Sequence, residues 1–337
     1  MKGVALKGKW RGLAVAGTAI LATLIVAFVA VRGCTLMPWN REQESGKPVS
    51  ILVTRDFGSE TILEEEIRVA KGTSAMEALS KVADVETRYG GGFVSSIEGL
   101  RSSPGSSGGN DWFYYANGVL AGVGALDYQV HGGDQIWWDY HAWSPDNFVA
   151  AVVGSYPRPF TQGYAGREGV TLVVYSGALQ EAARRVSSYL EEKGARVKRA
   201  ETSAFSAADR KGPVMVIMTF EEATQTNWVR EMAENRSAGG AFFSLAQAKP
   251  VPLDAGGRPC PLPEEAVAVI SATGSGLGDA RPVWLVLCKD AGCAEKAADL
   301  MTLKSDSLGR KYAVALGESG KVYRLPRPEV SNDRGVH

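Results

Sequence analysis

Leu13 to Val31 reads LAVAGTAILATLIVAFVAV, nineteen residues without a charge. At about 1.5 Å per helical residue this run nearly crosses a hydrocarbon core of roughly 30 Å. A buried core helix of that length usually keeps a polar face, and this one has only Thr18 and Thr23. The run therefore reads as a membrane helix. Lys2, Lys7, Lys9 and Arg11 precede it and hold the N-terminus in the cytoplasm. The body then lies outside the cytoplasm, at the cell membrane.

Two anchors fit this segment. Val31-Arg32-Gly33-Cys34 resembles a lipoprotein signal in which Cys34 would carry the lipid. Arg32 stands where such signals hold a small residue, and the apolar run exceeds a signal core of about 7–15 residues. An uncleaved signal anchor is the better fit, and both give one tether.

The chain has 337 residues, enough for about two domains at roughly 150 residues each. Its 37 basic and 37 acidic residues hide an asymmetry. The first 34 residues hold five cations and no acid, so the remainder has 32 basic against 37 acidic residues, a net of −5. A mildly acidic body without a basic stripe argues against nucleic acid as a partner. Three histidines leave little material for a metal site, and none is expected.

Composition and turn signals divide the chain into six parts. Residues 1–34 are the basic segment and anchor, 35–48 a polar linker, and 49–143 a first domain. Residues 144–169 form a Pro- and aromatic-rich connector, 170–325 a second domain, and 326–337 a polar tail. In the first domain Ser50–Arg55 and Ile62–Val69 predict a hairpin across Phe57-Gly58-Ser59. Ser74-Ala75-Met76-Glu77 is a capping box that starts a short helix. Phe93–Ile97 and Trp112–Ala116 are strands, Asn117-Gly118 is a strong two-residue hairpin signal, and Gln135–Tyr140 is the last strand. In the second domain, strands at Val170–Tyr175, Val214–Met218, Val267–Ser271 and Val283–Cys288 alternate with helices at Ala178–Lys193 and Ala291–Leu303. Tyr312–Leu316 and Val322–Leu325 close it. The expected class is α+β: a β-grasp-like domain followed by an α/β sandwich, behind one N-terminal transmembrane or signal helix.

Two motifs look like chemistry and read otherwise. Gly274-Ser275-Gly276-Leu277-Gly278 lacks the following helix that a dinucleotide loop needs, and predicts a hairpin loop. Gly105-Ser106-Ser107-Gly108-Gly109 lacks the strand and helix of a nucleophile elbow. No nucleophile–base–orienter set stands out, so no catalytic residue is assigned and a non-enzymatic role is expected. Cys288 ends a strand and Cys293 opens the next helix, so they can form a local disulfide. The alternative is that Cys260, Cys288 and Cys293 are buried thiols.

Aromatic residues concentrate in one stretch. Residues 112–164 hold 13 of the 29 Phe, Trp and Tyr, which marks that stretch for function. By the period of two along a strand, Ile136, Trp138 and Tyr140 face the core. Trp137, Asp139 and His141 then face outward, beside Trp143. These four are the candidate ligand-binding residues, stacking through the indoles and making polar contacts through Asp139 and His141. The competing reading packs Trp137 beneath the connector.

Trp112-Phe113-Tyr114-Tyr115-Ala116-Asn117-Gly118, followed by Gly133-Asp134-Gln135-Ile136-Trp137-Trp138-Asp139-Tyr140, resembles the transcobalamin-like C-terminal domain of bacterial surface proteins. Ala75-Met76-Glu77-Ala78-Leu79 and Phe93–Gly99 also look like it, and the resemblance covers about residues 49–141. It implies a β-grasp-like fold outside the cytoplasm and a corrinoid-like small nutrient as ligand, with no resident cofactor. It also implies an accessory role beside a membrane transporter or another surface protein. The alternative is a structural protein–protein interaction module, and the resemblance does not extend to residues 170–325.

Overall fold

The computed structural model describes residues 46–103, 109–143, 148–205, 210–234 and 240–328. The Leu13–Val31 span, Cys34 and most of the Gly105–Gly109 loop lie outside the described residues. Among the described residues no helix is long and apolar enough to cross a membrane.

The fold is α+β and sheet-rich. The chain begins with β1 (Val49–Arg55) and β2 (Glu60–Ile67), an antiparallel hairpin with a bulge at Val53/Thr54. Helix α1 (Ala75–Ser80) follows, and its capping box forms as the sequence predicts. Ser74 Oγ accepts the Glu77 N–H at 3.1 Å, and Glu77 accepts the Ser74 N–H at 2.7 Å. A small antiparallel sheet comes next, made of β3 (Val85–Arg88), β4 (Phe93–Ile97) and β5 (Leu100–Arg101). Then come β6 (Asn110–Ala116), β7 (Val119–Leu120) and β8 (Gln135–Ala142). Asn117 and Gly118, both at positive φ (50° and 80°), make the tight turn between β6 and β7. The main sheet has the order β2-β1-β8-β6-β7, with β1 and β8 parallel and the other pairs antiparallel.

The connector leads through a short helix, α2 (Arg158–Thr161), into β9 (Val170–Tyr175). Helix α3 (Gln180–Glu192), β10 (Arg196–Glu201) and β11 (Val214–Thr219) follow. Next are α4 (Phe220–Gln225), α5 (Asn227–Glu234) and the hairpin β12 (Phe243–Ala246)–β13 (Lys249–Pro252). The chain ends with β14 (Ala266–Thr273), β15 (Val283–Cys288), α6 (Ala291–Thr302), β16 (Ala313–Gly317) and β17 (Val322–Leu325). The second sheet has the order β10-β9-β11-β15-β14-β16-β17, parallel from β10 to β15 and antiparallel beyond. Strands buried on both faces read as continuous apolar runs, which is why VMVIM and VWLVL carry no alternation. The 274–278 segment is the β14–β15 hairpin loop that its lack of a following helix predicts. The helix expected from Ala178 opens instead with a 3-10 turn at Gly177–Leu179, and the Ser176 side chain does not cap it.

Three apolar clusters hold these layers. The first lies between the second sheet and α3 with α6; the third lies between the first sheet and α1. The second cluster joins the two sheets. Leu52, Tyr115 and Trp137 of the first pack with Val216, Leu285, Tyr312 and Ala315 of the second half of the chain. The connector is docked in all three: Val149 and Val152 enter the shared core, Ala151, Val153, Tyr156 and Phe160 the helix-side core, and Tyr164 the core beneath α1. Gly154 shows how close this docking is. A Cβ there would sit 2.7 Å from the Lys311 backbone nitrogen and from Trp137 Cζ3, and 2.9 Å from the Arg310 nitrogen. Gly154→Ala should cost about 1–3 kcal/mol through overpacking, read as a lower urea midpoint. An unchanged midpoint would show that the connector is not seated there.

Candidate functional site

Strand β8 divides its side chains as the period of two requires. Trp138 and Tyr140 lie with Ile136 in the α1-side core, and Trp138 stacks on Tyr114 at 4.8 Å. Trp137, Asp139 and His141 share the other face, but that face does not look outward. They are 0%, 0% and 3% exposed. The expectation of an open face is corrected for a physical reason: Tyr312, Phe242 and the connector cover it. Alternation shows which residues share a face and is silent on what lies opposite.

Asp139 organises a buried polar network. Its carboxylate accepts the Phe57 N–H at 3.0 Å and the Gly58 N–H at 2.9 Å. It also accepts the Thr54 hydroxyl, and faces His141 Nδ1 at 2.8 Å. Carboxylate oxygens offer acceptors, so the pairing gives the donor role to Nδ1. Asp56, Phe57 and Gly58 all take positive φ (55°, 58° and 75°), and this turn aims successive N–H groups at one anion. Trp137 Nε1 donates to Thr54 Oγ1 at 2.7 Å, so the threonine relays between indole and carboxylate. The Tyr312 hydroxyl lies 3.3 Å from His141 Nδ1. Burial, reinforced by the Asp139 charge, pushes the Tyr312 phenol well above its ordinary acidity range. The His141 ring is sandwiched by Phe57 and Phe113, with centroids 4.4 Å away on each side.

Cations gather at the margin of this network. Arg310 pairs with Glu64 at 2.9 Å, which ties β2 to the second half. Lys311 is half-buried; burial, then the charges of Arg324 and Arg310, lower its pKa below the ordinary 10.5. A base with a lowered folded-state pKa makes stability rise with pH between the lowered value and 10.5, because the unfolded chain binds more protons there. Lys311→Met should therefore melt higher than the natural chain at neutral pH. The advantage should shrink as pH climbs toward 10.5, where the natural lysine discharges. A variant that melts lower at neutral pH would contradict this.

Beside the network lies a cavity of about 400 Å³. Trp112, Phe113, Tyr115, Phe148, His141 and Trp143 contribute to its walls. Two of the four residues singled out in the sequence, His141 and Trp143, border it; Trp137 and Asp139 do not. Trp143 is 47% exposed and stands at the rim. With Nδ1 committed to Asp139, Nε2 is the imidazole nitrogen left for another partner. Phe113 and Phe148 were not singled out, although both fall in the aromatic-dense stretch. Such a space can take a flat, largely apolar group with one polar contact.

Cys288 and Cys293 are not bridged. Both are free buried thiols, as is Cys260, so the disulfide expectation is corrected. The two side chains are absorbed in the helix-side core, and the Cys293 N–H caps onto Asp290 at 2.8 Å. Among the described residues no group of three or more His, Cys, Asp or Glu is placed to hold a metal ion.

No curated protein matches the chain. A solved structure from Ruminococcus gnavus ATCC 29149, described as a "putative metal binding protein", is similar at 16% identity, over 29% of this chain and 99% of its own, with a TM-score of 0.23. Residues 72–142, from the turn ahead of the α1 cap to the end of β8, match the family model described as a domain of unknown function, DUF4430.

Proposed function

We propose that this chain is a membrane-tethered binding protein whose body works outside the cytoplasm, and that its ligand enters the aromatic cavity beside His141. The observation that carries the reading is the cavity itself, an aromatic-walled space bordered by an imidazole that is fixed in place. The order β2-β1-β8-β6-β7, with α1 across one face, supports a β-grasp-like first module. Together with the family match it supports kinship with the transcobalamin-like C-terminal domain. A small nutrient delivered to a membrane transporter follows from that kinship. The volume narrows the corrinoid reading: about 400 Å³ sits at the low end of small-molecule sites, roughly 300–1,000 Å³. A flat portion of a ligand enters, and any larger remainder stays outside.

A second reading, a protein–protein interaction module, draws support from the burial of Trp137 and Asp139, which join the sheets rather than meet a ligand. The two readings separate by titration of the full chain in lipid nanodiscs with 2-naphthol, followed by tryptophan fluorescence. Saturable binding is expected, about tenfold weaker in Trp143→Ala, because a rim indole at a hot spot contributes more than ~1 kcal/mol. Absence of saturable binding, or binding indifferent to Trp143→Ala, would overturn the cavity reading.

A further inference from the structure

The β14–β15 hairpin loop carries Leu277, an apolar side chain 61% exposed. Leu277 borders the aromatic cavity on one side and a second hollow of about 550 Å³ on the other. The second hollow has a different chemistry. Arg167, Lys211 and Arg281 line it, with Glu168 and Asp279 as the acids. Asp279 is already engaged: it accepts the Ser275 N–H and hydroxyl at 2.8 Å each and the Arg281 N–H at 3.0 Å, and pairs with Arg210 at 2.8 Å. Burial alone would raise its pKa, yet the Ser275 donors and Arg210 hold it below the ordinary carboxylate value. In the lining the three cations Arg167, Lys211 and Arg281 outnumber the two acids. Arg281 is held by the Arg210 carbonyl at 3.1 Å, lies 3.8 Å from the Asp279 carboxylate, and keeps 52% of its side chain exposed. Gly276 also lines the hollow, and a Cβ there would meet nothing within 4 Å, so a ligand can approach bare main chain at that point.

We propose that the two hollows are two subsites for one ligand: a flat ring in the aromatic cavity, and an anionic group, phosphate or carboxylate, reaching past Leu277 to Arg167, Lys211 and Arg281. Guanidinium forks and an ammonium suit the oxygens of such an anion, and charge-assisted contacts are the stronger hydrogen bonds. The proposal rests on the cavity reading above and adds the charge of the ligand to it.

The test compares 2-naphthol with 2-naphthyl phosphate and 2-naphthoate on the full chain in nanodiscs. At least one anionic probe should bind about tenfold tighter than the neutral ring, the size of one charge-assisted contact. Added salt should narrow the gap. The double variant Arg167→Gln, Lys211→Gln alters two exposed side chains and should erase the gap while leaving 2-naphthol binding unchanged. Equal binding of all three probes by the natural chain would overturn the two-subsite inference and leave the aromatic cavity standing. Binding of none would overturn both. Anionic probes that keep their affinity in Trp143→Ala, while 2-naphthol loses its own, would show two unconnected sites and overturn the link.

Discussion

Asp139→Ala should lose about 3–5 kcal/mol of folding stability, the scale for breaking a buried hydrogen-bond network in which several donors share one acceptor. The removed carboxylate leaves the Phe57 and Gly58 N–H groups, the Thr54 hydroxyl and the His141 Nδ1 without their acceptor. It also removes the reason for an aromatic residue to stay at positive φ, a conformation that costs of order 1–3 kcal/mol unless its surroundings hold it. Against a total of roughly 5–15 kcal/mol, the loss should bring the variant close to unfolding at physiological temperature. Asp139→Asn keeps the shape and one acceptor oxygen, and should fall between the two. Thermal and urea unfolding of the three chains would check the order. A value for Asp139→Ala within about 1 kcal/mol of the natural chain would show that the network does not hold the sheets together.

Trp137→Ala should be as damaging as Trp138→Ala, each costing about 3–5 kcal/mol. The side chains point to opposite faces of β8, and for an exposed face only the second would matter. Trp137 instead packs against Tyr115 and Tyr312, at ring distances of 6.1 and 5.4 Å, under Gly154. Its loss also removes the donor to Thr54 and so loosens the hydroxyl that serves Asp139. Trp138 loses stacking on Tyr114 but no hydrogen bond, because its Nε1 has no partner. Parallel melts of the two variants decide the point. A Trp137→Ala melt near that of the natural chain would return Trp137 to the surface.

The local grammar of the chain was readable in the sequence. The Ser74–Glu77 capping box, the Asn117-Gly118 turn, the Gly274–Gly278 hairpin loop and the sharing of faces along β8 depend on residues a few positions apart. The covering of the second face did not declare itself, because it depends on distant partners. Tyr312 is 171 positions from His141, and Arg310 is 246 from Glu64. The turn at Asp56-Phe57-Gly58 was visible as a turn, but the anion it holds lies 81 and 82 positions away. Of the cavity, the aromatic-dense stretch supplies most of the walls, and two residues named from the β8 pattern and its neighbourhood, His141 and Trp143, border it. Leu277 and the Arg167, Lys211, Arg281 group come from three loops that only the folded chain brings together.

The connector's membership in all three cores has a consequence for dissecting the gene. A fragment ending near residue 143 would carry the residues of the family match, yet it would bare the side of its sheet that holds Leu52, Tyr115 and Trp137. A fragment starting near residue 170 would lack Tyr156 and Phe160, which pack against Trp284. Either truncation should lose soluble, folded protein. Recombination that exchanges the N-terminal module between relatives should succeed only when the connector and the Tyr312 region travel with it.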